Sequence, residues 1–211
     1  MKQSIKGYLV FTSLGYRLAV FILMPLALVG LHVLSASEVG GSGPINMLLL
    51  LMLEIVCDNW FLGGIQEKNA ENLDYLKTSS RGMKVMRSVL VMDFARRFMT
   101  AVTVLGICFL LNKFLFQTNP QIEADLIFPV LVSYSLSVLG TLITRFQSYF
   151  WVNMVAGYVA AIIGAVLFIL VMFGVIEVFV TNIIFGVLAV IFSILGVKIA
   201  MARVEGGYYD K

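Results

Sequence analysis

Apolar residues in this chain gather into six runs, at 18–34, 44–64, 98–116, 126–144, 152–173 and 178–200, separated by short polar stretches and one long one. A hydrocarbon core of roughly 30 Å takes about twenty such residues as helix, so the pattern predicts an all-α, polytopic membrane protein with six spans in a single transmembrane domain. The punctuation agrees. Pro25 predicts a kink in span one, Pro44 opens span two and Gly63-Gly64 closes it. The Gly/Ser-rich 35–43 and the polar 117–125 read as loops on one side. Phe146, Tyr149, Phe150 and Trp151 form an aromatic belt at an inner turn on the other. Spans five and six, joined by a short turn around Gly174 and Glu177, read as a helical hairpin, followed by a tail at 201–211.

Two stretches depart from plain spans. Residues 1–17 mix Lys2, Lys6 and Arg17 with Ile5, Leu9, Phe11, Leu14, Tyr8 and Tyr16, which predicts an amphipathic helix lying in the cytoplasmic interface. Residues 65–97 are the long polar stretch. Ser79 and Ser80 can cap a helix starting near Arg81, and only Gly82 interrupts it before Phe116. Such a helix is about 54 Å long and would protrude from the membrane by several turns. Ahead of it, 71–78 reads as a short polar helix with Leu73 and Leu76 on one face beside Tyr75. That is enough to dock in a groove of another protein and too little to build a core.

Charge then gives the chain a direction. Hydrophobic residues make up 60%, charged residues 13% and mean hydropathy is +0.97, beyond the range of an ordinary soluble domain. Of the fifteen Lys and Arg, only Lys113 falls on the side assigned to the outside. The other fourteen hold both termini and 65–97 in the cytoplasm, so the net charge of +3 implies topology and not nucleic-acid binding. Met1-Lys2 and Ser35-Ala36-Ser37 resemble the ends of a secretory signal, yet the partly polar residues before the apolar run and the spans after it favour an uncleaved first span. Cys57 and Cys108 lie within apolar runs without C-x-x-C spacing and read as buried thiols.

Glu54 and Asp58 stand a helical turn apart inside span two. An ionised group at that depth costs about 2.5–3.5 kcal/mol, so each calls for a partner or an aqueous cavity. Asp58, near the inner end, is expected to be satisfied by Asn59, Trp60 or a basic residue such as Arg96, Arg97 or Arg145. Glu54 lies deeper, without such a partner in view. Both are candidates to line a polar translocation path. His32, the lone histidine, reads as an interfacial imidazole and not a metal ligand. Small residues at 156, 157, 160, 161 and 164 predict close packing of span five on span six or on a second copy.

Taken together, an interfacial N-terminal helix, six spans, both termini inside and a leucine-bearing cytoplasmic helix between spans two and three resemble the membrane subunit of an ABC-2-type exporter. Residues 71–93, with Leu73, Leu76, Lys77, Thr78, Ser79, Ser80 and Arg81 ahead of the ascending helix, are similar to that family's coupling region. The resemblance implies an elbow helix at 1–17 and a coupling helix that sits in a cleft of a separate ABC ATPase subunit. Leu73, Asp74, Tyr75, Leu76, Lys77 and Arg81 would form the contact. It also implies a second membrane subunit and residence in the plasma membrane of a prokaryote. Two departures stand out: only a short turn separates spans five and six where the family often has re-entrant half-helices, and no G-x-x-x-x-G-K-[ST] occurs, so ATP hydrolysis falls to another chain. No enzyme activity or cofactor is expected. The alternative is a non-transporting accessory or immunity protein that binds a partner through the same cytoplasmic loop.

Overall fold

The computed structural model describes residues 8–9, 12–36, 43–58, 60–61, 81–116, 126–145 and 150–205, and every regular element among them is helical. Helix α1 (Leu14–Leu18) passes through a π-helical turn (Ala19–Leu23) into α2 (Met24–Ala36). Then come α3 (Gly43–Asp58), α4 (Gly82–Leu111) with a π-helical end (Asn112–Phe116), α5 (Ile127–Thr144), α6 (Phe150–Met172) and α7 (Val178–Glu205). Five described helices are long and apolar enough to cross a membrane: Leu14–Leu34, Gly82–Phe114, Ile127–Thr144, Phe150–Met172 and Val178–Arg203. The chain is therefore a multi-pass, all-helical membrane protein.

Helix α5 is the axis of the bundle. Its crossing stretch is 67% buried against 17% for α6 and for α7. Helices α3, α4, α6 and α7 all pack on it, and α2 closes the far side against α3 and α4. Serines replace bulk where α5 meets its neighbours. Ser133 donates to the Met47 carbonyl of α3 (3.4 Å), Ser135 to the Phe185 carbonyl of α7 (3.0 Å), and Tyr134 shares a 2.7 Å hydrogen bond with Ser193 of α7. Hydroxyls of this kind tie helices where lipid offers no polar competitor.

Several expectations change. Gly174 ends α6 at φ +67, with its N–H on the Val171 carbonyl (3.0 Å) and the Val175 N–H on Leu170 (2.9 Å), a Schellman cap that makes the short turn. Yet α6 and α7 diverge beyond it, α6 lying on α3 and α5, α7 on α5 and α4, so the pair is no packed hairpin. The small face of α6 accordingly meets α3: a Cβ on Gly157 would lie 3.2 Å from Met52, and one on Gly164 would lie 3.0 Å from Leu48. Helix α4 does run unbroken from Gly82, but its N-cap is Arg81, which makes no side-chain capping bond; Ser79 and Ser80 lie outside the described residues. Nor does its first half stand free, since Met86, Val89 and Leu90 are buried in the core that also takes in Ala200 of α7. At Pro25, where a kink was expected, the helix carries a π-turn just before the proline. Proline lacks an N–H and crowds the carbonyl four residues back, and the wider turn, closed by the Met24 N–H on Ala19, accommodates both defects.

Candidate functional site

Three arginines and three carboxylates meet at one end of the bundle. Glu54 and Asp58 come from the last turns of α3, Asp93, Arg96 and Arg97 from the middle of α4, and Arg145 from the C-cap of α5. Helix periodicity sets this up twice: Glu54 and Asp58 are four apart on one face, and Asp93, Arg96 and Arg97 are spaced by three and four. All six side chains are at most 4% exposed.

Asp93 is the hub. Its Oδ1 accepts from Tyr16 Oη of α1 (3.2 Å) and from Arg96 Nε and Nη2 (3.3 Å each). Its Oδ2 accepts from Arg97 Nε (3.1 Å) and from Arg145 Nη2. Arg96 then forks onto Glu54, Nη1 to Oε1 and Nη2 to Oε2, both at 2.8 Å. Arg97 reaches Asp58 and donates to the Glu54 carbonyl (3.1 Å). Arg145 Nη2 meets Asp58 Oδ1 at 2.6 Å while its Nε stands 3.2 Å from both oxygens. Aromatic faces seal the cluster. The Arg145 guanidinium lies 4.6 Å from the Phe61 ring and 5.3 Å from the Phe94 ring, and that of Arg96 lies 5.9 Å from the Tyr16 ring. Phe61 in turn packs its ring at a tilt against those of Tyr16 (5.5 Å) and Tyr8 (5.9 Å), and burial pushes the Tyr8 phenol up to about 12, so it is neutral at any physiological pH.

The charges balance, three against three, and every one is committed to a partner. Such an arrangement is a clasp: it joins α1, α3, α4 and α5 through bidentate, charge-assisted bonds in a place where a lone charge would be prohibitive. Buried ion pairs of this kind contribute little net stability over a well-packed apolar core, while removing one partner alone is costly.

A second polar contact lies near the opposite end. His32 of α2 is fully buried, with Asn46 of α3 donating to Nδ1 and Nε2–H facing Asn112 Oδ1, each at 2.7 Å. Asn46 also lies 3.8 Å from the Cys108 sulfur. His32 is therefore a core ligand of two asparagines and not the interfacial imidazole expected, because Asn46 and Asn112 fall opposite it once α3 and α4 pack on α2. Cys57 and Cys108 are both buried free thiols.

Of the residues singled out in the sequence, Asp58 is satisfied by Arg97 and Arg145, both among the partners expected for it. Glu54 is corrected: it has a partner after all, Arg96. Arg96, Arg97 and Arg145, read as charges that hold loops in place, are buried at 7%, 1% and 5% exposure. Asp93 was not singled out at all. The signal available was its spacing to Arg96 and Arg97 on a helix otherwise turning apolar. Arg81 is exposed at the start of α4, while Leu73, Asp74, Tyr75, Leu76 and Lys77 lie outside the described residues. No group of three or more His, Cys, Asp or Glu suited to a metal occurs among the described residues. No family model, no curated protein and no solved structure matches the chain.

Proposed function

We propose that the chain is the membrane permease subunit of an ABC-type exporter, working with a separate ATPase subunit and a second membrane subunit to move an amphiphile such as a peptide, lipid or drug. In this reading residues 1–17 form an elbow helix and α3 is the sixth span. The clasp and both termini face the cytoplasm of a prokaryotic cell, and residues 65–80 carry the coupling contact through Leu73, Tyr75 and Leu76.

The observation that carries the reading is the continuity of α4. One helix of about 45 Å joins the stretch ahead of Arg81, the clasp at Asp93, Arg96 and Arg97, and Asn112 beside His32 near the other end. A push on its first turn is transmitted to both polar contacts, because a packed helix moves as a rigid element. Opening the clasp would separate α4 from α3 and α5, and the carboxylates of Glu54 and Asp58 would then face the gap between them. Ionisable residues inside a membrane commonly mark such gated paths.

The test is purification in mild detergent followed by identification of a nucleotide-binding subunit, repeated with Leu73→Ala and Leu76→Ala together. Retained ATPase in the parent protein and its loss, or uncoupled hydrolysis, in the double variant is the expected result, with the amount of chain in the membrane unchanged. Absence of any ATPase from the parent complex removes the reading. The full neutralisation of the clasp favours one alternative, a non-transporting accessory or immunity protein in which these charges only fix the helices. For such a protein, loosening the clasp would alter partner binding and move no solute.

A further inference from the structure

On the other side of α4 from α5, a groove of about 500 Å³ opens between this helix and the π-turn that leads into α2. Val20, Phe21 and Pro25 form one wall and Met92, Met99 and Ile107 the other. Its surface is apolar: Thr100, also in the lining, turns its hydroxyl onto the Arg96 carbonyl at 3.0 Å, and Arg96 itself is committed to Glu54 and Asp93. Phe21 is 51% exposed and Met99 61%, so the groove opens outward and not into the bundle. Both walls belong to helices long and apolar enough to cross a membrane. From Met92 to Ile107 the groove climbs about 22 Å along α4, somewhat more than the roughly 15 Å depth of one leaflet's hydrocarbon.

Below its lower end, Arg81 and Lys84 continue the same stripe of α4 through Ser88 to Met92, at the spacing of three and four that keeps side chains on one face. Both cations are exposed, and neither forms an ion pair among the described residues. An apolar channel at least one leaflet deep, with two exposed cations beneath it that have no ion-pair partner among the described residues, is complementary to an anionic lipid. We propose that the groove holds one acyl chain of an anionic bilayer phospholipid whose phosphate rests on Lys84 and Arg81, in the leaflet on the clasp's side. The π-turn shapes the seat, since its wider coil sets Val20, Phe21 and Pro25 along one wall. This inference is independent of the exporter reading and stands or falls without an ATPase.

The experiment uses the full chain reconstituted in phosphatidylcholine vesicles doped with a phosphatidylglycerol that carries a photoreactive group on one acyl chain. Cross-links are mapped by mass spectrometry. Label is expected to concentrate on residues 92–107 and 20–25 over α6, although α6 is the more exposed helix. It should fall several-fold when Ala95→Phe with Thr103→Phe fills the groove, both positions being exposed and so tolerant of the change. Lys84→Gln with Arg81→Gln should reduce capture by about fivefold per cation, while the same probe on phosphatidylcholine is captured weakly throughout. Even labelling of α4 and α6, or equal capture of the two lipids, overturns the proposal. So does efficient disulfide formation between two copies through Met99→Cys without lipid label, which would make this face a subunit interface.

Discussion

Asp93 is where the clasp is most vulnerable, because it alone is shared by Tyr16, Arg96, Arg97 and Arg145. Asp93→Leu leaves three buried guanidinium groups facing two carboxylates, and breaking one side of such a pairing costs about 3–5 kcal/mol. The thermal midpoint in detergent should drop steeply, and adding Arg145→Leu should recover part of the loss; a double variant that is merely additive would show that the two do not act as one unit. Asn153 makes the opposite case. It is fully buried at the start of α6 and neither amide atom has a hydrogen-bond partner among the described residues, so Asn153→Leu, nearly the same shape, should raise the midpoint by removing a desolvation cost of about 1–3 kcal/mol. A fall would mean the amide has found a ligand. Acids embedded in an apolar run stand out in the sequence, which is why Glu54 and Asp58 were legible. Their partners were not, because Arg96 is 42 residues from Glu54 and Arg145 is 87 from Asp58, and each lies at the edge of a run where a solvated loop charge looks the same. Only the convergence of three helices distinguishes the two.

Hydropathy places the last three helices closely, 126–144 against Ile127–Thr144, 152–173 against Phe150–Met172 and 178–200 against Val178–Glu205, whereas the run expected at 44–64 gives a helix that ends at Asp58, short of Gly63-Gly64, and is not among the five described helices long and apolar enough to cross a membrane. What hydropathy cannot convey is which faces meet. A stripe of small residues announces a close neighbour without naming it, so the sequence leaves span six and a second copy open as partners of α6, while its glycines in fact admit Met52 and Leu48 of α3. The π-turn was equally hidden, since Pro25 signals a disturbance and not the form it takes. Glycines give a direct check on the packing of α5. A Cβ at Gly140 would stand 2.4 Å from the Ile55 side chain, whereas Gly30 and Gly106 have nothing within 4 Å. Gly140→Ala should therefore cost about 1–3 kcal/mol by forcing α3 and α5 apart, and Gly30→Ala should be neutral or stabilising by a few tenths of a kcal/mol up to about 1. Chemical or thermal unfolding of the two variants side by side reads this out, and equal behaviour would refute the α3–α5 contact at this level.

Directionality belongs to the entire molecule and rests on charge. Arg96, Arg97 and Arg145 sit at one end of the bundle but are neutralised inside it, so they no longer vote on topology as free loop charges do. Among the described residues the other basic side chains still divide unequally, with Lys113 alone in the π-helical end of α4 and Arg17, Arg81, Lys84, Arg87, Lys198 and Arg203 toward the clasp side. Because the bias survives the removal of the buried arginines, the clasp is expected on the cytoplasmic side. Single cysteines report on this directly in a background lacking Cys57 and Cys108, whose burial already keeps their own reactivity low. Gly41→Cys and Asn119→Cys should label with an impermeant thiol reagent on intact cells, and Asn72→Cys should label only after permeabilisation. Labelling of Asn72→Cys on intact cells, with the other two silent, would turn the molecule over. The stretch that begins α4 would then face away from any cytoplasmic ATPase, and the exporter reading would fail with it, leaving the clasp as the feature that still needs a role.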